Sequence, residues 1–330
     1  MSLTSDHAID TSAPAAESSE IAGRSLTQIA WGRLRRDKVA MTSLIVVLLI
    51  VSVAILAPVI TRLVGVNPTD FNDDAINDAG ALPKGNFGGI TLDHPLGVEP
   101  GTGRDLFARL LYGSRISLLI ALSATMITMV LGITVGIIAG YSRGWLDTAL
   151  GRLMDIVLAF PLILILLALS NVLTQRLQTT FHLGELASRV LYLILVLSFF
   201  GWPYLARIVR GQVLSLRERE FVESAVSMGA GTRRILFREI LPNLWAPILV
   251  YATLLLPTYI AAEATLSFLG VGLVPPTPSW GAMLADSVRY FVVDPAFLFI
   301  PGTYLFIVVL AFNLLGDAVR DALDPRAARS

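Results

Sequence analysis

Six apolar runs, each long enough to cross a bilayer, leave few folds open to this chain. They lie at 42–61, 116–140, about 153–173, 190–209, about 244–266 and 296–316. A helix needs about 20 predominantly apolar residues to span the hydrocarbon core. Inside that core every backbone N–H and C=O must be satisfied within the chain, which helices achieve and open sheets do not. The sequence therefore predicts an all-α membrane protein with six transmembrane helices. Composition agrees: 55% of residues are hydrophobic and 15% charged, with a mean hydropathy of +0.70. Soluble domains carry about 25% charged residues, so an ordinary soluble enzyme is excluded, as is a disordered chain.

Charge sets the orientation. With both termini on one side, that side holds 17 basic residues and the other 8. The positive-inside rule places the richer side, and both termini, in the cytoplasm. Residues 1–41 then form a cytoplasmic tail. Its stretch from Arg24 to Lys38 reads either as an amphipathic surface helix or as a solvated linker. The tail carries Asp6, Asp10, Glu17 and Glu20 before the first apolar run. That is unlike a cleaved signal peptide, and the first run reads as a retained anchor. Residues 42–316 form the membrane domain, with an outer segment at 62–115 and an inner loop at 210–243, and 317–330 a second cytoplasmic tail.

The chemistry available is narrow. There is no cysteine, hence no disulfide, thiolate nucleophile or cysteine-bound metal. His7, His94 and His182 lie far apart, and no metal site is expected. The formal net charge is zero, which points to no nucleic-acid partner. No phosphate-binding loop of the Gly-x-x-x-x-Gly-Lys-Ser/Thr type occurs, so the chain is not expected to hydrolyse ATP itself.

Within the spans three features stand out. Gly132, Gly136 and Gly140 repeat every four residues and share one helix face. Such a stripe admits a close helix neighbour, either within the bundle or from another subunit. Asp155 lies toward the inner end of the third span with Arg152 as a local partner, a structural role being favoured over a proton relay. Pro161, after Phe160, is expected to bend that span. On the outside, 62–115 holds seven acidic residues among many glycines and prolines. It suits a small cap or loop, whose acidity either forms a rim for a cationic substrate or serves solubility. Residues 104–112 predict a helix at the interface that leads into the second span, and 281–290 a short helix dipping toward the bundle with Asp286 and Arg289 as a possible ion pair.

The inner loop is unusually patterned. Phe221, Ala225 and Met228 fall on one helical face, with Val222 and Val226 beside it. Gly229 and Gly231 break this helix, and a second basic stretch runs from Thr232 to Ile240 before Pro242 and Asn243. A helix, a glycine turn and a second helix fit either a device docking into a soluble partner or a pair of helices lying on the bilayer.

These same residues carry a resemblance. Glu223-Ser224-Ala225, then Gly229, then Leu241-Pro242 resembles the cytoplasmic signature of binding-protein-dependent ABC importer permeases, Glu-Ala-Ala, three residues, Gly, and a later Leu-Pro. Ser224 departs from the first Ala, and Glu239 stands where many relatives have His. His94-Pro95-Leu96-Gly97, Gly103-Arg104-Asp105, Tyr112-Gly113-Ser114-Arg115, Arg217 to Glu223, Ala262-Glu263-Ala264, Leu266 to Gly270 and Pro275 to Trp280 resemble the dipeptide and oligopeptide group, in particular its C-type permease subunit. The resemblance covers roughly residues 40–325.

It implies a permease subunit in a bacterial cytoplasmic membrane. The implied partners are a second homologous permease, two cytoplasmic ATPases that use ATP and magnesium, and an extracytoplasmic solute-binding protein. No cofactor would bind this chain. The implied coupling residues are Phe221, Glu223, Ala225, Met228, Gly229, Arg233, Arg234, Leu241 and Pro242. In that role Ala225 and Met228 pack in an ATPase cleft, Gly229 permits the turn, and Arg233 and Arg234 pair with acidic groups on its rim. Substrate-binding residues are not assigned. Two other readings compete: an ion-gradient-driven transporter and a non-transporting assembly protein. The first would want ionisable groups near mid-membrane, whereas Asp155 and Glu263 lie toward span ends. The second would need neither the Gly229 loop nor the proline-rich outer turn.

Overall fold

The computed structural model describes residues 26–77, 81–85 and 87–323, with side chains from Trp31 onward. The expectations for residues 1–22 and for the last residues, 324–330, lie outside the described residues. The helices in chain order are α1 (Leu26–Arg36), α2 (Lys38–Val64), α3 (Leu106–Tyr141), α4 (Trp145–Ala159), α5 (Leu162–Phe181), α6 (Glu185–Leu216), α7 (Glu220–Ser227), α8 (Thr232–Arg234), α9 (Trp245–Phe268), α10 (Trp280–Ser287) and α11 (Ala296–Leu323). Among the described residues six helical runs are long and apolar enough to cross a membrane: α2, α3, α5, α6, the run ending in α9, and α11.

Local chemistry places the ends. The Asp37 carboxylate accepts from the Val39 and Ala40 amides at 2.8 and 3.3 Å and starts α2. Asp105 accepts from the Ala108 amide at 2.7 Å and starts α3. Ser279 accepts from the Ala282 amide at 3.1 Å and starts α10. Near Pro242, which has no N–H to donate, the ladder leaves α geometry. It widens to a π turn over Ile235–Ile240 and tightens to a 3-10 turn over Leu241–Leu244 before α9.

The core forms where α3, α6, α9 and α11 meet, around Ile120, Leu193, Ile260, Phe297 and Val308. The glycine stripe seats α3 on α6 of the same chain. A Cβ on Gly132 would lie 2.7 Å from the Leu205 Cβ, one on Gly136 2.7 Å from the Ala206 carbonyl oxygen, and one on Gly140 2.7 Å from the Val213 Cβ. The stripe is therefore a seam within the bundle.

Four expectations are corrected. The third span is not one helix over 153–173: it breaks at Phe160-Pro161, and the crossing helix is α5, which runs on to Phe181. Pro161 cannot donate, and it holds Phe160 in extended backbone. The helix expected at 104–112 does lead into the second span, as the first turns of α3, but it does not lie on an interface: Leu106, Leu110 and Leu111 are buried in the bundle. Asp155 pairs with Arg207 of α6, not with Arg152, because α4 packs across α6 and the cross-helix cation is nearer than the one a turn away. Asp286 and Arg289 form no ion pair; the Arg289 amide instead donates to the Asp286 carbonyl at 3.3 Å.

At the end of the bundle where α2 finishes, the segment after α2 folds onto it as a cap. Arg109 is fully buried and ties three parts together. Its Nη1 donates to the Pro68 and Pro276 carbonyls at 3.2 Å each, and its Nε lies 3.6 Å from Glu99. His94 meets the Asp105 carboxylate at 2.8 Å, and Trp280 donates to the Leu110 carbonyl at 3.3 Å. The dip expected for 281–290 is present: Trp280, Gly281, Ala282 and Met283 of α10 are buried.

Candidate functional site

The inner loop begins later than expected, because α6 continues as a rigid shaft to Leu216. Its root is held by three arginines. Arg207 pairs with Asp155. Arg210 donates to both carboxylate oxygens of Asp147, at 2.7 and 3.0 Å. That hydrogen bond is the main reason the Asp147 carboxyl sits below its ordinary range. Arg217 donates to the Gly140 carbonyl at 3.0 Å, which ties the loop to the last turn of α3.

Helix α7 then presents two unlike faces. Val222 and Ala225 are buried, and Val222 joins Ile235, Ile240, Leu244 and Val213 in a second apolar cluster. Phe221, Val226 and Met228 point outward, Met228 being 79% exposed. The expected single face of Phe221, Ala225 and Met228 therefore divides. Ala225, 6% exposed, is already packed against its own subunit and is not free to fill a partner's cleft. The reason is register: the inner cluster lies toward Val222, and Met228 is the C-cap where α7 has ended.

The turn after α7 is a Schellman motif. The Ala230 amide donates to the Ala225 carbonyl at 3.0 Å and the Gly229 amide to the Val226 carbonyl at 2.9 Å. Gly229 has φ +77°, and a Cβ there would meet nothing within 4 Å. Within this chain the glycine is required by backbone conformation, not by crowding. Beyond the turn, Arg233, Arg234, Phe237 and Arg238 border an open hollow of 640 Å³ with Gly231 at its edge. Arg233, Arg234 and Arg238 have no acidic partner among the described residues. Glu223 is exposed and likewise unpaired. Leu241 is half-buried against the inner cluster, and Pro242 is exposed at the π-to-3-10 junction. The loop thus offers Phe221, Met228 and Phe237 as apolar groups amid unpaired cations, on a base fixed to α3, α6 and α9.

The sequence reading named Glu263 but not its surroundings. Glu263 of α9 is 0% exposed. It accepts from Ser117 of α3 at 2.6 Å and Ser267 at 2.7 Å, and Ser267 in turn accepts from the Leu273 amide at 3.0 Å. The sequence placed Glu263 near a span end but gave no sign of the serine on α3.

The profile of a family described as binding-protein-dependent transport system inner membrane component matches residues 132–329, and that of the N-terminal TM domain of oligopeptide transport permease C matches 25–83. The chain belongs to the binding-protein-dependent transport system inner membrane components. Similar relatives cover nearly its whole length. The dipeptide transport system permease protein DppC of Alkalihalophilus pseudofirmus is 36% identical over 90% of this chain and 89% of its own. The glutathione transport system permease protein GsiD of Escherichia coli is 40% identical over 90% and 89%. The oligopeptide transport system permease protein OppC of Bacillus subtilis is 37% identical over 92% and 90%. The fold resembles a chain from a structure of inward facing conformations of the MetNI methionine ABC transporter. The TM-score is 0.53 at 20% identity, over 66% of this chain and 98% of that one. As a family member the chain is a multi-pass inner-membrane permease subunit of an ABC importer, a non-catalytic component of the transporter.

Proposed function

We propose that this permease forms half of a translocation path for peptides or related small solutes, paired with a second homologous permease. Two ATPases drive the cycle from the cytoplasmic side, and an extracytoplasmic binding protein delivers the solute at the outer cap. Support for the substrate class comes from relatives whose names specify dipeptide, glutathione and oligopeptide transport. Both termini and the inner loop face the cytoplasm on this reading, as the 17-to-8 distribution of basic residues favours.

The observation that carries the coupling role is that this one loop exposes Phe221, Met228 and Phe237 together with Arg233, Arg234 and Arg238, which have no ion-pair partner among the described residues. Apolar anchors ringed by cations suit a cleft with an acidic rim. Ala225, Leu241 and the Schellman turn hold that surface in shape from behind, and Glu223 sits at its root. The region from α7 to Leu244 acts as the coupling element, the remainder of 42–316 as the permease domain.

Met228→Asp tests this at little cost to folding, because Met228 is exposed. In a complex rebuilt with the second permease, the ATPases and the binding protein, the variant should lose ATPase co-purification or binding-protein-stimulated ATP hydrolysis. Wild-type association and transport by a correctly inserted variant would overturn the docking role. Single cysteines at Asn77, Ser227 and Thr277 test orientation: an impermeant thiol reagent on intact cells should label the first and third only.

A further inference from the structure

Between α2 and α11 lies an apolar groove that no described element fills. It has a volume of 330 Å³, with Thr42, Ser43 and Val46 on one wall and Leu310, Ala311 and Leu314 on the other. Its mouth is at Lys38, the first residue of α2. Below that mouth α1 packs through Leu34 onto Ala318, Val319 and Ala322 of α11. This fixes a basic turn beside the groove: Arg35, Arg36 and Lys38 are exposed and have no ion-pair partner among the described residues. The nearby carboxylates do not neutralise them. Asp37 is committed to capping α2, and Asp317 and Asp321, exposed at the end of α11, form no ion pair among the described residues. Trp31, 54% exposed on the same short helix, is the side chain that settles at a headgroup boundary.

An apolar slot that opens at a boundary lined by unpaired cations matches one ligand chemistry: an acyl chain joined to a negatively charged headgroup. We propose that this groove is a binding site for an anionic phospholipid of the leaflet at the N-terminal end of α2. The acyl chain lies between α2 and α11, and the phosphate faces Lys38 and the basic turn of α1. The hydroxyls of Thr42 and Ser43 already donate to the Lys38 and Ala40 carbonyls at 2.8 and 2.9 Å. They therefore offer only lone pairs at the mouth and leave recognition of the anion to the cations. A basic protein surface would pair instead with the exposed Asp317 and Asp321; an anionic lipid is the occupant that Arg35, Arg36 and Lys38 favour. The groove is lined by α2 and α11 and by no residue of the coupling loop, so it stands or falls independently of the ATPase-docking role.

The test uses the full-length chain released from bilayers of equal phosphatidylglycerol and phosphatidylcholine, with bound lipid counted by native mass spectrometry. Phosphatidylglycerol should be retained preferentially. Each cation near a membrane surface contributes about a fivefold preference, so Arg35→Gln with Lys38→Gln should lower retention roughly 25-fold. Thr42→Phe fills the groove without altering charge. Thr42 is exposed, so this variant should insert normally and also lose the lipid. Equal retention of the two lipids by the unaltered chain overturns the proposal, as does undiminished retention in Thr42→Phe. So does a disulfide from Thr42→Cys to the second permease in the assembled complex, which would show that protein covers the groove.

Discussion

Position 229 separates two reasons for needing a glycine, and the structure assigns them different orders of substitution. Gly229 has φ +77° with open space where a Cβ would project. An L-residue held in the left-handed region costs about 1–2 kcal/mol, and Asn pays less because its side chain hydrogen-bonds locally. A penalty of that size opens the turn about 5–30 times more often. The amides of Gly229 and Ala230, the two Schellman donors, report it directly. In the purified chain, hydrogen exchange at residues 229 and 230 should accelerate about 5–30-fold in Gly229→Ala and clearly less in Gly229→Asn. Association with the ATPase should follow the same order if the turn's shape is what the partner reads. The reverse order, with Asn worse than Ala in exchange, would mean size matters and would refute the conformational account. An ATPase pull-down that Ala spares and Asn abolishes, with exchange as expected, would place a partner surface directly against this Cα.

The other expectations concern the scaffold. Gly136→Leu should destabilise by about 1–3 kcal/mol or more, because the Ala206 carbonyl is backbone and cannot swing away. Gly151→Ala, with nothing within 4 Å, should be near neutral, and thermal unfolding of the two purified variants compares them. Glu263→Ala orphans Ser117 and Ser267, at about 1–3 kcal/mol for each unsatisfied hydroxyl. Glu263→Gln keeps one acceptor and gains donors, so its melting temperature should fall less. Burial raises the Asp294 carboxyl above its ordinary range, against the pull of the Ala296 and Phe297 amides. A carboxyl raised on folding contributes stability below its unfolded value and loses it as pH rises through the raised one. The outer end of α11 should therefore be weaker at neutral than at mildly acidic pH, and Asp294→Asn should flatten that dependence in melting curves taken across pH.

The six spans were legible because hydropathy over 20 residues is a local property and nothing in the fold can hide it. The glycine stripe was legible for a similar reason: its period is that of one helix. The neighbour it meets was not, since Leu205, Ala206 and Val209 lie some 70 positions away and carry no pattern that singles them out. Pairing failed wherever a closer partner in sequence competed with one in space. Arg152 is three residues from Asp155, yet Arg207 reaches it, and Arg289 is three residues from Asp286 without pairing. The division of α7 was missed for a subtler reason. On an eight-residue helix with apolar groups at 221, 222, 225 and 226, and one at 228 just past its end, periodicity allows two faces. Only the position of the inner cluster chooses between them.

That choice bears on how force would cross the membrane. Helix α3 is 36 residues long, about 54 Å at 1.5 Å per residue. Its outer turns hold the cap through Arg109 and the Leu110 carbonyl, and its Gly140 carbonyl holds the loop through Arg217. Between these ends the stripe keys it to α6. Sliding α3 by one residue would drive Leu205, Val209 and Val213 against Cβ-bearing positions instead of glycines. The α3–α6 pair therefore resists shear and is suited to move as one body. The chain places its weak ladder elsewhere, at the Phe160-Pro161 break and at the π and 3-10 turns flanking Pro242. A push on Met228 and Phe237 would then pass through the inner cluster to a rigid pair, with α5 and α9 free to pivot at these two breaks.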